Sequence, residues 1–158
     1  MKAASVRELK KELQEKSPQE LVELCLRLSK FKKDNKELLT YLLYESENEE
    51  GYIAAVKTDI EEGFQEINRS NYYLIKKGLR KILRITKKQI RYSVKKETEV
   101  ELLIFFCLEM RKMEPTFTRS TLLRNMYSQQ LKLIERRVEG LHEDLQFDYA
   151  KDLEILKR

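Results

Sequence analysis

The chain is predicted to be all-α, with seven or eight helices forming an antiparallel bundle or a short curved helical array. Three observations predict this. Helix breakers are rare, with four Gly and two Pro in 158 residues. Apolar residues recur at intervals of three and four along nearly the whole length, the period of a helix with one buried face. Capping signatures stand just ahead of those periodic runs.

Ser5-Val-Arg-Glu8, Ser17-Pro-Gln-Glu20 and Asp34-Asn-Lys-Glu37 each place a short polar side chain three positions before a Glu, and Pro18 takes the favoured first helical position. They predict helices over 5–15, 17–31 and 34–45. The apolar sets are Val6, Leu9 and Leu13; Leu21, Leu24, Cys25 and Leu28; and Leu38, Leu39, Leu42 and Leu43. The recurring Glu-Leu after each cap keeps no fixed period, so it reads as shared helix grammar and not as a solenoid repeat. An acidic loop from Glu45 to Gly51 then separates an N-terminal three-helix subdomain, residues 1–45, from a main body at 51–158.

In the main body a helix over 51–67 turns Ile53, Val56, Ile60, Phe64 and Ile67 to one side. Asn68 or Ser70 caps a basic helix over 70–93, and Thr98-Glu-Val-Glu101 marks the next start. Val100 to Met110 is apolar nearly all round, as befits a central helix packed on several sides. Glu114-Pro115 ends it, and Thr118 or Ser120 opens a seventh helix with a stripe from Leu123 through Met126, Tyr127, Leu131, Ile134 and Val138. Gly140 is expected to stop that helix in a left-handed cap, leaving a short eighth.

Charge is distributed unevenly. Residues 69–96 hold eleven Lys or Arg and no Asp or Glu, whereas 1–68 carry a net charge of −4 and 97–158 a net charge of −2. At about 100° per residue, Ile75, Leu79, Ile82, Leu83, Thr86 and Ile90 share one side of this helix. Lys76, Lys77, Arg80, Lys81, Arg84, Lys87, Lys88, Arg91 and Lys95 share the opposite side. An ordinary solvated face mixes signs, because Glu and Lys at i and i+4 support each other. Here every such pair is like-charged, so the helix has to be held by its apolar stripe or by an anion from outside.

The cationic face has three readings. It lies against acidic parts of the same chain, for which Glu45, Glu47, Glu49 and Glu50, or Asp59, Glu62 and Glu66, are candidates. It binds nucleic acid or another polyanion by displacing condensed counterions, with Tyr72, Tyr73 and Tyr92 placed to stack on bases. Or it binds an anionic bilayer, for which the apolar side lacks the Trp and Phe of an interfacial helix. No recognised nucleic-acid motif accompanies the charge.

Ser-Val-Arg-Glu-Leu-Lys-Lys-Glu-Leu at 5–13, Ser17-Pro-Gln-Glu-Leu, Ile75-Lys-Lys-Gly-Leu-Arg-Lys-Ile-Leu and Glu101-Leu-Leu-Ile-Phe-Phe together resemble a family of small bacterial all-helical proteins of unassigned function. The resemblance covers most of the chain, rests on core and capping patterns, and implies no substrate, cofactor or active site. The first forty residues are similar to the two-helix SAP DNA-binding module, but lack its glycine turn and lysine cluster.

Catalytic patterns are absent from the sequence. His142 is the only histidine, so any Ser-His-Asp or Cys-His arrangement would have to use it, and it reads as an exposed residue at a helix C-terminus. Glu139-x-x-His142 is half of a di-iron carboxylate pattern whose second half is missing. Cys25 and Cys107 sit in apolar surroundings and read as small buried hydrophobes without disulfide spacing. No phosphate-cradling glycine loop occurs. The expectation is a cytoplasmic, soluble protein without cofactor, metal or enzymatic activity and without a membrane span, since the longest apolar run, Leu102 to Leu108, is short. A protein-interaction or scaffolding module bound to a protein partner is the leading reading, and nucleic-acid or polyanion binding through residues 76–95 is the alternative.

Overall fold

The structure is a computed structural model that describes residues 1–158. It is all-α: α1 Val6–Gln14, α2 Pro18–Phe31, α3 Lys33–Thr40, α4 Glu49–Gln65, α5 Tyr72–Ser93, α6 Lys96–Lys112, α7 Thr121–Glu139 and α8 Glu143–Lys157. A π-helical turn at Tyr41–Glu45 follows α3, and a 3-10 turn at Phe117–Arg119 precedes α7. The chain divides into two compact units, Met1–Tyr44 and Glu45–Arg158.

In the first unit the two Ser-x-x-Glu boxes form as the sequence requires. Ser5 N–H donates to Glu8 Oε2 at 2.8 Å and Ser17 N–H to Glu20 Oε2 at 2.8 Å, while each Ser hydroxyl accepts the amide of its Glu. The Ser5 hydroxyl, donating to Glu8 Oε2 at 2.7 Å, and then the Ser5 amide lower the Glu8 carboxyl from its ordinary value, and the Ser17 amide and side chain do the same for Glu20. The third signature does not cap. Lys32 stands at the N-terminus of α3 without a side-chain bond, and Asp34 lies inside the first turn. α2 packs against α3, and Asn35 Nδ2 donates to the Leu28 carbonyl at 2.8 Å. None of the three helices buries a side chain.

The second unit is built round α6. Val100, Leu102, Leu103, Phe106, Cys107 and Met110 are fully enclosed, because α4, α5, α7 and α8 all pack on this helix. Each such side chain contributes on the order of 1.5–3 kcal/mol through burial, which outweighs the modest propensity of a helix carrying Val, Ile and Phe. Phe64 of α4 meets Phe106 at 5.5 Å between ring centroids. Lys57 pairs with Glu101 at 2.6 Å, Arg137 with Glu99 at 2.9 Å and Lys157 with Glu135 at 2.8 Å. Tyr127 donates its hydroxyl to the Leu156 carbonyl at 2.8 Å, fixing α8 on α7.

Several boundaries differ from expectation. α4 begins at Glu49, capped by Asn48, so Glu49 and Glu50 are helical and not part of a loop. Asn71, not Asn68 or Ser70, caps α5 by accepting the Leu74 amide at 3.0 Å, since Asn68 is committed to Ser70. α6 starts at Lys96, two residues before Thr98, because the Thr98 hydroxyl is directed to Glu49 at 2.5 Å. Helix α7 stops at Glu139 before Gly140, yet the glycine has φ −87°, so the left-handed cap is absent. Left-handed geometry instead falls on Val94, with φ 55°, at the α5–α6 junction. His142 is the N-cap of α8, not a C-terminal residue, and its Nδ1 accepts the Asp144 amide at 3.3 Å. Cys25 is exposed, contrary to its apolar neighbourhood, because those neighbours are exposed as well; Cys107 is buried.

Candidate nucleic-acid interface

Helix α5 is positioned by its apolar stripe. Ile75, Leu79, Ile82, Thr86 and Ile90 are buried, while Leu83 is half-buried. Thr86 satisfies its hydroxyl on the Ile82 carbonyl at 3.0 Å. Pairings show that α4 and α5 run antiparallel: Glu49 lies beside Ser93 and Gly63 beside Ile82, while Ile67, just past the end of α4, lies beside Gly78. A Cβ on Gly63 would stand 2.9 Å from Ile82 Cγ1, and one on Gly78 would stand 2.9 Å from Ile67 Cγ1. The two glycines let the helices approach more closely than alanine would allow.

Burying that stripe leaves the opposite side to the cations. Lys77, Arg80, Lys81, Arg84, Lys87, Arg91 and Lys95 are exposed, and Lys76 and Lys88 are half-buried. Lys95 is used by the fold: its Nζ lies 3.3 Å from Glu49 Oε2, and the same carboxylate accepts the hydroxyls of Ser93 and Thr98. Lys88 is also engaged within the chain. Lys76, Lys77, Arg80, Lys81, Arg84, Lys87 and Arg91 have no carboxylate oxygen within 4.0 Å. From Lys76 to Arg91 they extend over about 22 Å of helix.

The acidic residues expected beside this face reach it in part and form no ion pair with its seven unpaired cations. Glu49 is spent on the α5–α6 junction, and Asp59 accepts a hydrogen bond from Gln89 Nε2 at 3.1 Å. Asp59, Glu62 and Glu66 line one wall of an open groove of about 770 Å³, opposite Lys77, Arg80, Lys81 and Arg84, over a floor of Ile60, Ile67 and Ile82. They approach those cations without pairing with them. The sequence placed all of these side chains on correct helical faces but could not show the groove, since its glycines are fifteen residues apart in the chain.

Of the three tyrosines expected to stack on bases, one is free to do so. Tyr73 is 73% exposed. Tyr72 donates its hydroxyl to the Thr116 carbonyl at 3.1 Å, and Tyr92 is half-buried and engaged. The surface therefore offers charge along a helix in preference to a stacking platform.

Elsewhere the chemistry is sparse. Burial pushes the Cys107 thiol up to about 12, where it is neither nucleophile nor metal ligand. No three His, Cys, Asp or Glu side chains converge on a metal-sized site. No helix is long and apolar enough to cross a membrane. On the C-terminal helix Phe147 is exposed, whereas Tyr149 and Leu153 are half-buried against the body. No family model, no curated protein and no solved structure matches the chain.

Proposed function

We propose that this is a non-enzymatic binding protein whose α5 face engages the phosphate backbone of a nucleic-acid duplex. One observation carries the reading: seven Lys and Arg side chains occupy one helix face with no carboxylate within pairing distance. Like charges at i and i+4 each cost the helix about 0.2–0.5 kcal/mol, and no ion pair within the chain offsets that cost, the Asp59, Glu62 and Glu66 carboxylates lying across the groove beyond pairing distance. Phosphates would do so, with release of their condensed counterions. The single open tyrosine favours duplex over single strand, because strand binding draws on several aromatic platforms. Backbone contacts of this kind position a protein without reading sequence.

The test is fluorescence anisotropy with a labelled mixed-sequence duplex, comparing the wild-type chain with Lys77→Glu, Arg80→Glu, Arg84→Glu and Arg91→Glu combined. All four side chains are exposed and unpaired, and because Lys77, Arg80 and Arg84 share the groove with Asp59, Glu62 and Glu66, an unchanged circular dichroism spectrum and thermal transition are the control. The expected result is measurable affinity at low salt, reduced at least a hundredfold in the variant and indifferent to duplex sequence. Equal affinity in both proteins, or none in either, contradicts the reading.

A second reading, a protein-interaction or scaffolding module, is favoured by a different observation. Val6, Val22, Leu26, Leu28, Phe31 and Leu43, all in residues 1–44, are each about half exposed or more. Helices of this length are marginal in water without a surface to pack on, and a partner protein would supply one.

A further inference from the structure

We infer that α2 is a self-association element and that its occupant is the α2 helix of a second copy of this chain, packed antiparallel. The inference rests on the interaction reading of residues 1–44 and names the partner. Leu21, Leu24, Leu28 and Phe31 follow a spacing of three, four and three, which places them on a single seam of the helix. α3 packs on α2, yet Leu24 remains 39% exposed, Leu28 61% and Phe31 77%. Leu21 is half-buried, so the seam is open chiefly over Leu24, Leu28 and Phe31.

Its pattern is self-complementary in one direction only. Inverting the helix about residue 26 sets Leu24 opposite Leu28 of the other copy and Leu21 opposite Phe31, so small faces large at both ends and the seam closes on itself. The charges follow the same symmetry. Glu20 and Glu23 lie in the N-terminal half of α2, Arg27 and Lys30 in the C-terminal half. An antiparallel copy brings acidic halves to basic halves and opposes the two helix dipoles; a parallel copy sets like against like in both respects. Because the same residues meet from both sides, the contact is isologous and closes as a dimer. A bilayer is the poorer occupant, since the four charges of α2 itself sum to zero, whereas an interfacial helix carries a basic polar face.

Cys25 supplies a reporter. It is exposed and lies one residue from the centre of symmetry, on the edge of the seam. In the antiparallel pair the two Cys25 residues fall on the same side, about 3 Å apart along the helix axes. Cys107 does not interfere, being buried with its thiol pushed up to about 12.

The experiment is sedimentation equilibrium of the full chain, combined with cross-linking by a short bis-maleimide and hydrogen exchange over residues 18–31. The expected result is a concentration-dependent species of twice the 19.0 kDa chain mass, cross-linked through Cys25 and abolished by Cys25→Ser. Leu28→Glu with Phe31→Glu should weaken association at least tenfold while leaving the folding transition of residues 45–158 intact. Glu23→Lys should also weaken it, and adding Lys30→Glu should restore it, Glu20 being left in place because it caps α2. A dimer indifferent to the seam substitutions, or one that the paired charge exchange fails to restore, overturns the antiparallel pairing. A chain that is monomeric at every concentration with fast exchange in α2 overturns self-association but leaves another protein as partner. A monomer with slow exchange there overturns the interaction reading too.

Discussion

Val94 shows how a single residue absorbs the connection between two helices. It holds φ 55° at the end of α5, its amide still bonded to the Ile90 carbonyl at 3.0 Å, with its side chain 83% exposed. A β-branched residue costs about 1–2 kcal/mol in this region. Glycine adopts the conformation freely at an entropic cost of about 0.5–1 kcal/mol. Val94→Gly should therefore raise the stability of the chain by about 0.5–1 kcal/mol, read as a later midpoint in urea unfolding. A loss would mean that the valine methyls contribute packing that their exposure denies. Cys107 gives a second prediction at this scale. Its thiol, ordinarily near 9.0, is pushed up to about 12 by burial. The folded chain therefore keeps a proton that the unfolded chain releases, and stability falls as pH rises above 9, by up to about 1.4 kcal/mol per pH unit. The contribution is fully present below that pH. Tyr127 and Tyr149 are raised by burial too, but act only above their ordinary value of 10.0. Urea midpoints from pH 8 to 10 should fall for the wild type and stay nearly level for Cys107→Ala.

At the scale of elements, what the sequence reveals depends on whether the forces are local. The caps at Ser5 and Ser17 were legible because donor and acceptor lie within one turn, and that of α7 was narrowed to Thr118 or Ser120, of which Ser120 caps. The start of α6 was not, because Thr98 bonds to Glu49, forty-nine residues away. The two faces of α5 were legible because a helical wheel fixes them without reference to any neighbour. Whether the cations would be paired was not, since that depends on where α4 places Asp59, Glu62 and Glu66. Periodicity likewise predicted amphipathic α1 and α2 but said nothing about whether another helix covers them, so the exposure of Cys25 was out of reach. The α4–α5 contact is a further case, and it is testable. A methyl on Gly78 would meet Ile67 Cγ1 at 2.9 Å, and both that residue and Ile82 facing Gly63 are buried and branched at Cβ. Gly78→Ala should cost about 1–3 kcal/mol by overpacking, against about 1 kcal/mol gained in helix propensity. A net loss in thermal unfolding supports the close approach, and a net gain would show that the helices part without penalty.

Across the whole molecule, the positive charge is concentrated: of the net +5, residues 69–96 contribute +11, residues 45–68 −7, residues 97–158 −2 and residues 1–44 +3. The segments on either side of α5 in the second unit are net acidic, so a polyanion meeting that unit is drawn to α5, which orients the encounter before contact. Duplex binding requires the α5 cations to be available to an external anion, and the most direct test is the salt dependence of duplex affinity. With five to seven phosphates neutralised, the logarithm of the association constant should fall with the logarithm of salt concentration at a slope of about −4.5 to −6. The fourfold Glu variant should lose most of that slope. A slope near zero, or a steep slope that the variant retains, would contradict the account and leave α5 as a solvated face.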